Sequence, residues 1–191
     1  MKLKQLADIT MGHSFRSRLE RTEGGNLSVI QMKDLTEDNR LDIAGLTQVD
    51  LEELKPHQYV QSNDIVFRSR GQTNTAVLVT GDVGEAVVAA PLLRIRAGET
   101  ILPGYLTWFL NLPKTQGWLT SQAKGTAVRM ISKQALADMP IVVPSIARQE
   151  EIIQLAGLAA DEQRLMQALA ETRKQYIEGI LMRAASEAQS A

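Results

Sequence analysis

The sequence predicts an α+β fold: a globular domain with a small, twisted or barrel-like sheet and short helices over residues 1–144, then one long helix over residues 145–191. Three observations carry that reading. Up to Arg96 the chain is a series of short β-prone runs cut by glycine and asparagine turn signals. Between Pro103 and Pro144 helical spacing takes over. After Pro144 there is no proline, and only Gly157 and Gly179 interrupt strong helix formers. At 191 residues, with 44% apolar and 23% charged side chains, the chain is long enough for one sizeable core with an appendage and has an ordinary soluble composition.

The elements follow in order. Val29–Met32, Asp64–Arg68, Ala76–Thr80, Ala86–Ala90 and Leu92–Arg96 are strand candidates, rich in β-branched and aliphatic residues. Gly24-Gly25-Asn26, Ser62-Asn63-Asp64, Gly81-Asp82 and Ala97-Gly98-Glu99 supply the turns between them. Pro103-Gly104 then opens a helix over Tyr105–Leu112, with Leu106, Phe109 and Leu110 at helical spacing before Pro113. A second helix is expected over Thr115–Gln122. A third covers Ser132–Ala137, where the Ser132 hydroxyl can cap the first turn.

The last quarter is expected to be helical from Ile146 to about Ala188, with Ser145 as N-cap and Glu150 and Glu151 at the positive end of the dipole. Ile152, Leu155, Ala159, Glu162, Met166, Leu169, Arg173, Tyr176 and Ile180 follow alternating steps of three and four, a heptad series with two polar breaks. At 1.5 Å per residue the rod is about 60 Å long. A domain of about 145 residues is too small to cover such a stripe. A partner helix is therefore expected, with dimerisation through Ile152, Leu155, Met166, Leu169, Tyr176 and Ile180. A helix folded back on itself at Gly157 is the other arrangement the pattern allows.

Composition excludes much chemistry. There is no cysteine, hence no disulfide, thiolate zinc site, iron–sulfur cluster or thiol nucleophile. His13 and His57 stand 44 residues apart and form no paired-ligand motif. The sequence has no GxxxxGK[ST] phosphate loop, no GxGxxG and no [DN]PP[YF] tetrapeptide of the amino-methyltransferases. Glu53-Leu54-Lys55 has the spacing of half a magnesium-dependent nuclease site, but Pro56 follows at once and the segment reads equally as a solvated turn. No catalytic residue, metal or cofactor is expected. The opening MKLKQLADIT lacks a signal-peptide core and no apolar run approaches a membrane span, so the expected compartment is the cytoplasm.

The charge balance is close to neutral, with 21 Lys and Arg against 22 Asp and Glu, so no polybasic partner signature exists. Within residues 1–144 the basic side chains are nevertheless bunched. Arg16, Arg18 and Arg21 share one loop, Arg68 and Arg70 end one strand, and Lys124, Arg129 and Lys133 surround another loop. Small hydrogen-bonding residues interleave them, among them Ser69, Gln72, Asn74 and Thr126. Arginine and lysine bind phosphates or guanine edges and Gln and Asn pair with adenine, so the mixture suits contact with double-stranded DNA.

The order of these segments resembles the specificity (S) subunit of type I restriction-modification systems over nearly the whole chain. Leu6–Gly12 is similar to that family's opening segment, which ends in glycine before a variable loop. Val29–Leu35 resembles its strand followed by an aspartate-leucine step, and Ser62–Gly71 its segment in which an aspartate precedes an apolar strand closed by glycine. Tyr105–Leu110 resembles the helix after the sheet, and Lys124–Leu136 the glycine-containing loop and helix that follow. Pro140–Pro144 with Arg148–Ile153 is the most specific match, to the proline step and E-Q-x-x-I entry of the family's long helix; Arg148 here replaces the usual acidic residue. Family members usually carry two recognition domains and two such helices. The resemblance therefore implies a half-length, non-catalytic subunit that dimerises antiparallel into a rigid spacer and reads an inverted bipartite site. It also implies methyltransferase subunits, and in some systems a restriction subunit, as partners. The competing expectation is a coiled-coil adapter whose globular head binds protein, which would lack the steep salt dependence of DNA binding.

Overall fold

The computed structural model describes residues 1–15, 19, 22, 24–36, 38–51, 54–71, 74–123 and 130–187. In chain order the strands are β1 (Ala7–Met11), β2 (Leu27–Ile30), β3 (Thr47–Val49), β4 (Ile65–Arg68), β5 (Ala76–Leu78), β6 (Ala86–Val88) and β7 (Leu92–Ala97). The helices are α1 (Pro103–Asn111), α2 (Pro113–Gln122), α3 (Lys133–Ala137) and α4 (Ile146–Glu187). The α+β class expected from the sequence is the one observed. The chain divides into two compact units, Met1–Glu150 and Glu151–Ala191.

Unit 1 is built on two small sheets. One is four-stranded and antiparallel throughout, in the order β1-β7-β4-β5; the other has the order β3-β2-β6, with β2 antiparallel to β3 and parallel to β6. Side chains alternate between faces along each strand. Val66, Val77 and Leu92 of the larger sheet join Ile30, Ala86 and Val88 of the smaller in one apolar cluster, so the two sheets share that core. Leu27, Val29, Val49 and Val87 point the other way from the small sheet and are covered by Leu54, Phe15, Leu19 and Tyr59. The remaining face of the large sheet carries the buried Ile9, Ile65, Phe67, Leu93 and Ile95. It is the face left for the helices: α1 packs against β5 and β7, and α3 against β1.

Several boundaries differ from the expectation for identifiable reasons. The segment Val29–Met32 is strand only to Ile30, because the Asp34 carboxylate accepts a 2.7 Å hydrogen bond from Gln31 N and draws Met32–Asp34 into a 3₁₀ turn. Strands β1 and β3 lie where no strand was expected; β1 alternates polar and apolar residues around a single buried Ile9. Pro103 and Pro113 stand inside the first turns of α1 and α2, where the missing N–H costs nothing. Ser132 caps α3 as expected, its Oγ accepting from Ala135 N at 3.1 Å. Helix α4 runs unbroken through Gly157 and Gly179, so the folded-back alternative does not occur. Its first turn is part of unit 1, where the fully buried Gln149 donates to Thr100 O and Pro144 O and accepts from Leu102 N.

Among the apolar layers sits a cluster of charges. Arg94 and Arg96 occupy alternate positions of β7 and so share a face with Asp8 and Thr10 of β1 and with Asp64, just before β4. Asp64 is 1% exposed and accepts a two-pronged hydrogen bond from Arg96 (2.7 Å to each oxygen) and another from Gln61 N at 2.8 Å. Arg94, 3% exposed, reaches Asp64 at 3.7 Å and Asp8 at 3.1 Å, and its Nε donates to Thr10 Oγ1. Burial pulls the Arg94 pKa down, opposed by Asp64; hydrogen bonding to Asp64 dominates at Arg96 and pushes its pKa up. Removing one partner of a buried pair strands the other charge. Asp64→Ala is therefore expected to cost about 3–5 kcal/mol of folding stability, read from the urea midpoint. Asp8→Ala, at a carboxylate 63% exposed, should cost less than about 1 kcal/mol. Equal losses in the two variants would show that burial of the cluster is not what gives it weight.

Candidate nucleic-acid interface

The antiparallel order of the large sheet decides where its loops emerge. Both β1 and β4 run opposite to β7, so their C-terminal ends meet its start: Met11 pairs with Leu93 and Arg68 with Leu92. Gly12 N donates to Leu92 O at 2.9 Å, and Ala90 N donates to His13 O at 2.9 Å. The Ser69 hydroxyl donates to Pro91 O. Arg70 then bridges to Met130, and Ile131 N donates to Ser69 O at 2.8 Å. The exits of β1 and β4 and the return of the chain at Met130 are thus gathered at one end of one sheet. These are the anchor points of the three basic bunches read in the sequence.

Two glycines make that convergence possible. A Cβ on Gly12 would stand 2.6 Å from the carbonyl carbon of Ala89, so only glycine allows the close passage. Gly71 has φ +126°, a conformation that side chains rarely adopt, and it turns the chain away after Arg70.

The sequence-derived contacts divide into three groups. Arg70 and Lys133 are exposed, Arg70 after the end of β4 and Lys133 at the first residue of α3. Arg16, Arg18, Arg21, Gln72, Lys124, Thr126 and Arg129 lie outside the described residues, as does Glu53. Ser69, Asn74 and Arg68 are wholly or partly buried and bonded within unit 1. Ser69 is buried and spends its hydroxyl on Pro91 O. Asn74 is buried too, its Nδ2 donating to Arg68 O at 3.0 Å while its own carbonyl accepts from Gln116 Nε2. Arg68 is half-buried, with Nη2 donating to Met32 O and Leu35 O. All three shape the loop from inside. Sequence patterning missed Met130, an exposed apolar side chain opposite Arg70, because its neighbour in space is 60 residues away in the chain.

Of the groups weighed for chemistry, His13 and His57 come together in space despite their separation in sequence. With Thr10, Gln58, Val87 and Arg94 they line a cavity of about 110 Å³ between the sheets. Among the described residues no cluster of three or more His, Asp or Glu side chains has the arrangement of a metal site. What the converged end offers is a hydrogen-bonded base from which Arg70 is exposed, beside segments whose sequence is rich in arginine and lysine, and that combination suits recognition of an anionic polymer.

In unit 2, Leu155, Met166, Leu169, Tyr176 and Ile180 of the expected stripe are exposed along α4, with Ile152 half-buried. Leu158, Leu165, Ile177 and Leu181 are exposed beside them. At 100° per residue the apolar band spans roughly 160°, wider than a strict two-position seam.

Comparison with known proteins agrees with this geometry. No curated protein matches the chain significantly. Among solved structures, a chain from a study of complex assembly and conformational transition of the type I R-M system matches with TM-score 0.65 and 20% identity, over 90% of this chain and 40% of that one. The HsdS subunit from Thermoanaerobacter tengcongensis matches with TM-score 0.64 and 17% identity, over 85% and 37%. The type I restriction-modification S subunit from M. genitalium matches with TM-score 0.58 and 12% identity, over 92% and 42%. At these identities the likeness is one of fold, and the chain spans about two fifths of the length of those it matches. Residues 1–155 match the family described as the type I restriction modification DNA specificity domain, and the chain belongs to that family.

Proposed function

We propose that this chain is the sequence-specific DNA-recognition subunit of a type I restriction-modification complex, cytoplasmic and itself non-catalytic. The observation that carries the reading is the gathering of the β1 and β4 exits and of Met130 at one end of the large sheet, where each joins a stretch rich in arginine or lysine. Backbone hydrogen bonds and buried side chains hold that end, so the loops can vary in sequence without loss of the base. Methylation, and cleavage where a restriction subunit is present, would belong to partner subunits.

The same reading makes the chain a homodimer. Leucines, isoleucines and a tyrosine along α4 are exposed among the described residues, and a second copy laid antiparallel would bury the same stripe on both. Two heads would then face DNA across a helical spacer. Two-fold symmetry requires the half-sites to be inverted copies separated by an unread gap. None of the described helices is long and apolar enough to cross a membrane.

Two measurements test these statements. With a target site selected from random DNA, Arg70→Ala is expected to cost about 1–3 kcal/mol of specific affinity and to relax preference at one base pair, as for an arginine on a guanine edge. Unchanged affinity and preference would remove Arg70 from the reading surface. In light scattering at tens of micromolar the full chain is expected at twice its monomer mass, and Met166→Glu with Leu169→Glu at one times that mass with helicity retained. A wild-type chain that stays monomeric would rule out self-pairing through α4.

A further inference from the structure

Arg68 sits between two segments that are far apart in sequence. One nitrogen of its guanidinium, Nη2, donates to Met32 O at 2.9 Å and to Leu35 O at 2.8 Å, so it spans both ends of the 3₁₀ turn Met32–Asp34. With both Nη2 hydrogens spent on carbonyls and Nε buried, Arg68 has no free pair of adjacent N–H groups for a guanine edge. It does hold the turn against the end of β4: a Cβ built on Gly71 would lie 4.0 Å from Met32 Cε. The turn is thereby fixed beside Arg70 and Gly71, at the end of the sheet where the basic loops emerge.

The turn carries one cation, Lys33, whose side chain is 60% exposed. Its ammonium donates to Thr47 Oγ1 at 3.1 Å. The acidic neighbour, Asp34, is 3.9 Å away, buried, and bonded to Gln31 N; burial pushes its carboxyl pKa up. Lys33 is therefore weakly countered. A compact charge on a flexible stem suits a phosphate and not a base edge.

We propose that the Met32–Asp34 turn is a further DNA-contacting element, with Lys33 as its phosphate contact and Arg68 as the residue that positions it; this rests on the DNA-recognition reading above. The test measures binding of the full chain to a random-sequence duplex by fluorescence anisotropy over a range of salt concentrations. Lys33→Ala is expected to weaken binding to all duplexes alike and to lower the log–log salt slope by about one, while Lys33→Arg keeps the slope. Arg68→Met should give the same loss, and no further loss when added to Lys33→Ala. Circular dichroism establishes that Arg68→Met is folded; the exposed Lys33→Glu, expected to weaken binding more than Lys33→Ala, carries the test by itself if it is not. Wild-type binding with an unchanged slope in Lys33→Ala overturns the inference alone. Losses that add in the double variant overturn the positioning role and make Arg68 a contact in its own right. A wild-type chain with no salt-dependent DNA binding overturns the recognition reading and this inference together.

Discussion

Asp64 is the group on which the arrangement of unit 1 turns. An unpaired carboxylate in its position would cost several kcal/mol, and its partners must therefore be delivered together. Arg96 delivers two hydrogen bonds, Gln61 N a third, and Arg94 approaches from the next alternate position of β7. Asp8 closes the set from β1. This fixes register: slipping β7 by one residue would turn both arginines to the helix-covered face, among Ile9, Ile65 and Phe67, and leave Asp64 bare. A purely aliphatic core would have packed as well but would tolerate such a slip more easily. With register fixed across β1, β7 and β4, the positions of Gly12 and Ser69 at one end of the sheet follow.

The fold was legible where local chemistry decides and illegible where distant chain segments meet. The five strands expected from aliphatic runs are present, and the proline and serine signals locate the helices, because those preferences act within a few residues. Strand β1 escaped because its five residues hold a single buried aliphatic side chain, Ile9, and its polar Asp8 and Thr10 find their partner, Arg94, more than 80 positions away. The same limit governs the candidate site. Bunched arginines mark the right neighbourhood, but Arg68 and Arg70, two residues apart, part company because the carbonyls of Met32 and Leu35, more than 30 positions upstream, hold Arg68 half-buried, while Arg70 lies past the end of β4 and is exposed. Ser69 and Asn74 look like contacts for the same reason that they are good interior braces: each can satisfy a backbone group.

The family-like motifs acquire physical content from the structure. The glycine closing the opening segment is needed because Ala89 passes within contact of where its side chain would stand. The aspartate-leucine step makes a turn, Asp34 capping it and Leu35 offering its carbonyl to Arg68. The aspartate before β4 is Asp64 itself. The glutamine at the start of the long helix is Gln149, which satisfies two carbonyls and one N–H around Thr100, Leu102 and Pro144. Asp34, Asp64 and Gln149 thus pair polar groups inside unit 1, and Gly12 makes room for Ala89. Segments with that internal duty are constrained by the fold, whereas loop residues answer only to what they touch outside.

Unit 2 follows the opposite logic. Unit 1 pairs its buried Asp64, Arg94 and Gln149 internally, while the large apolar side chains of α4 stay exposed. Each leucine or isoleucine moved from water into a helix–helix seam contributes about 1.5–3 kcal/mol, so the four or five largest side chains of the stripe outweigh what helix propensity supplies over the same length. Gly157 and Gly179 have nothing within 4 Å of where a Cβ would stand, so in the chain alone they only weaken the helix. In the proposed dimer such a seam would add to the stability of the spacer and so couple the distance between the two heads to assembly itself.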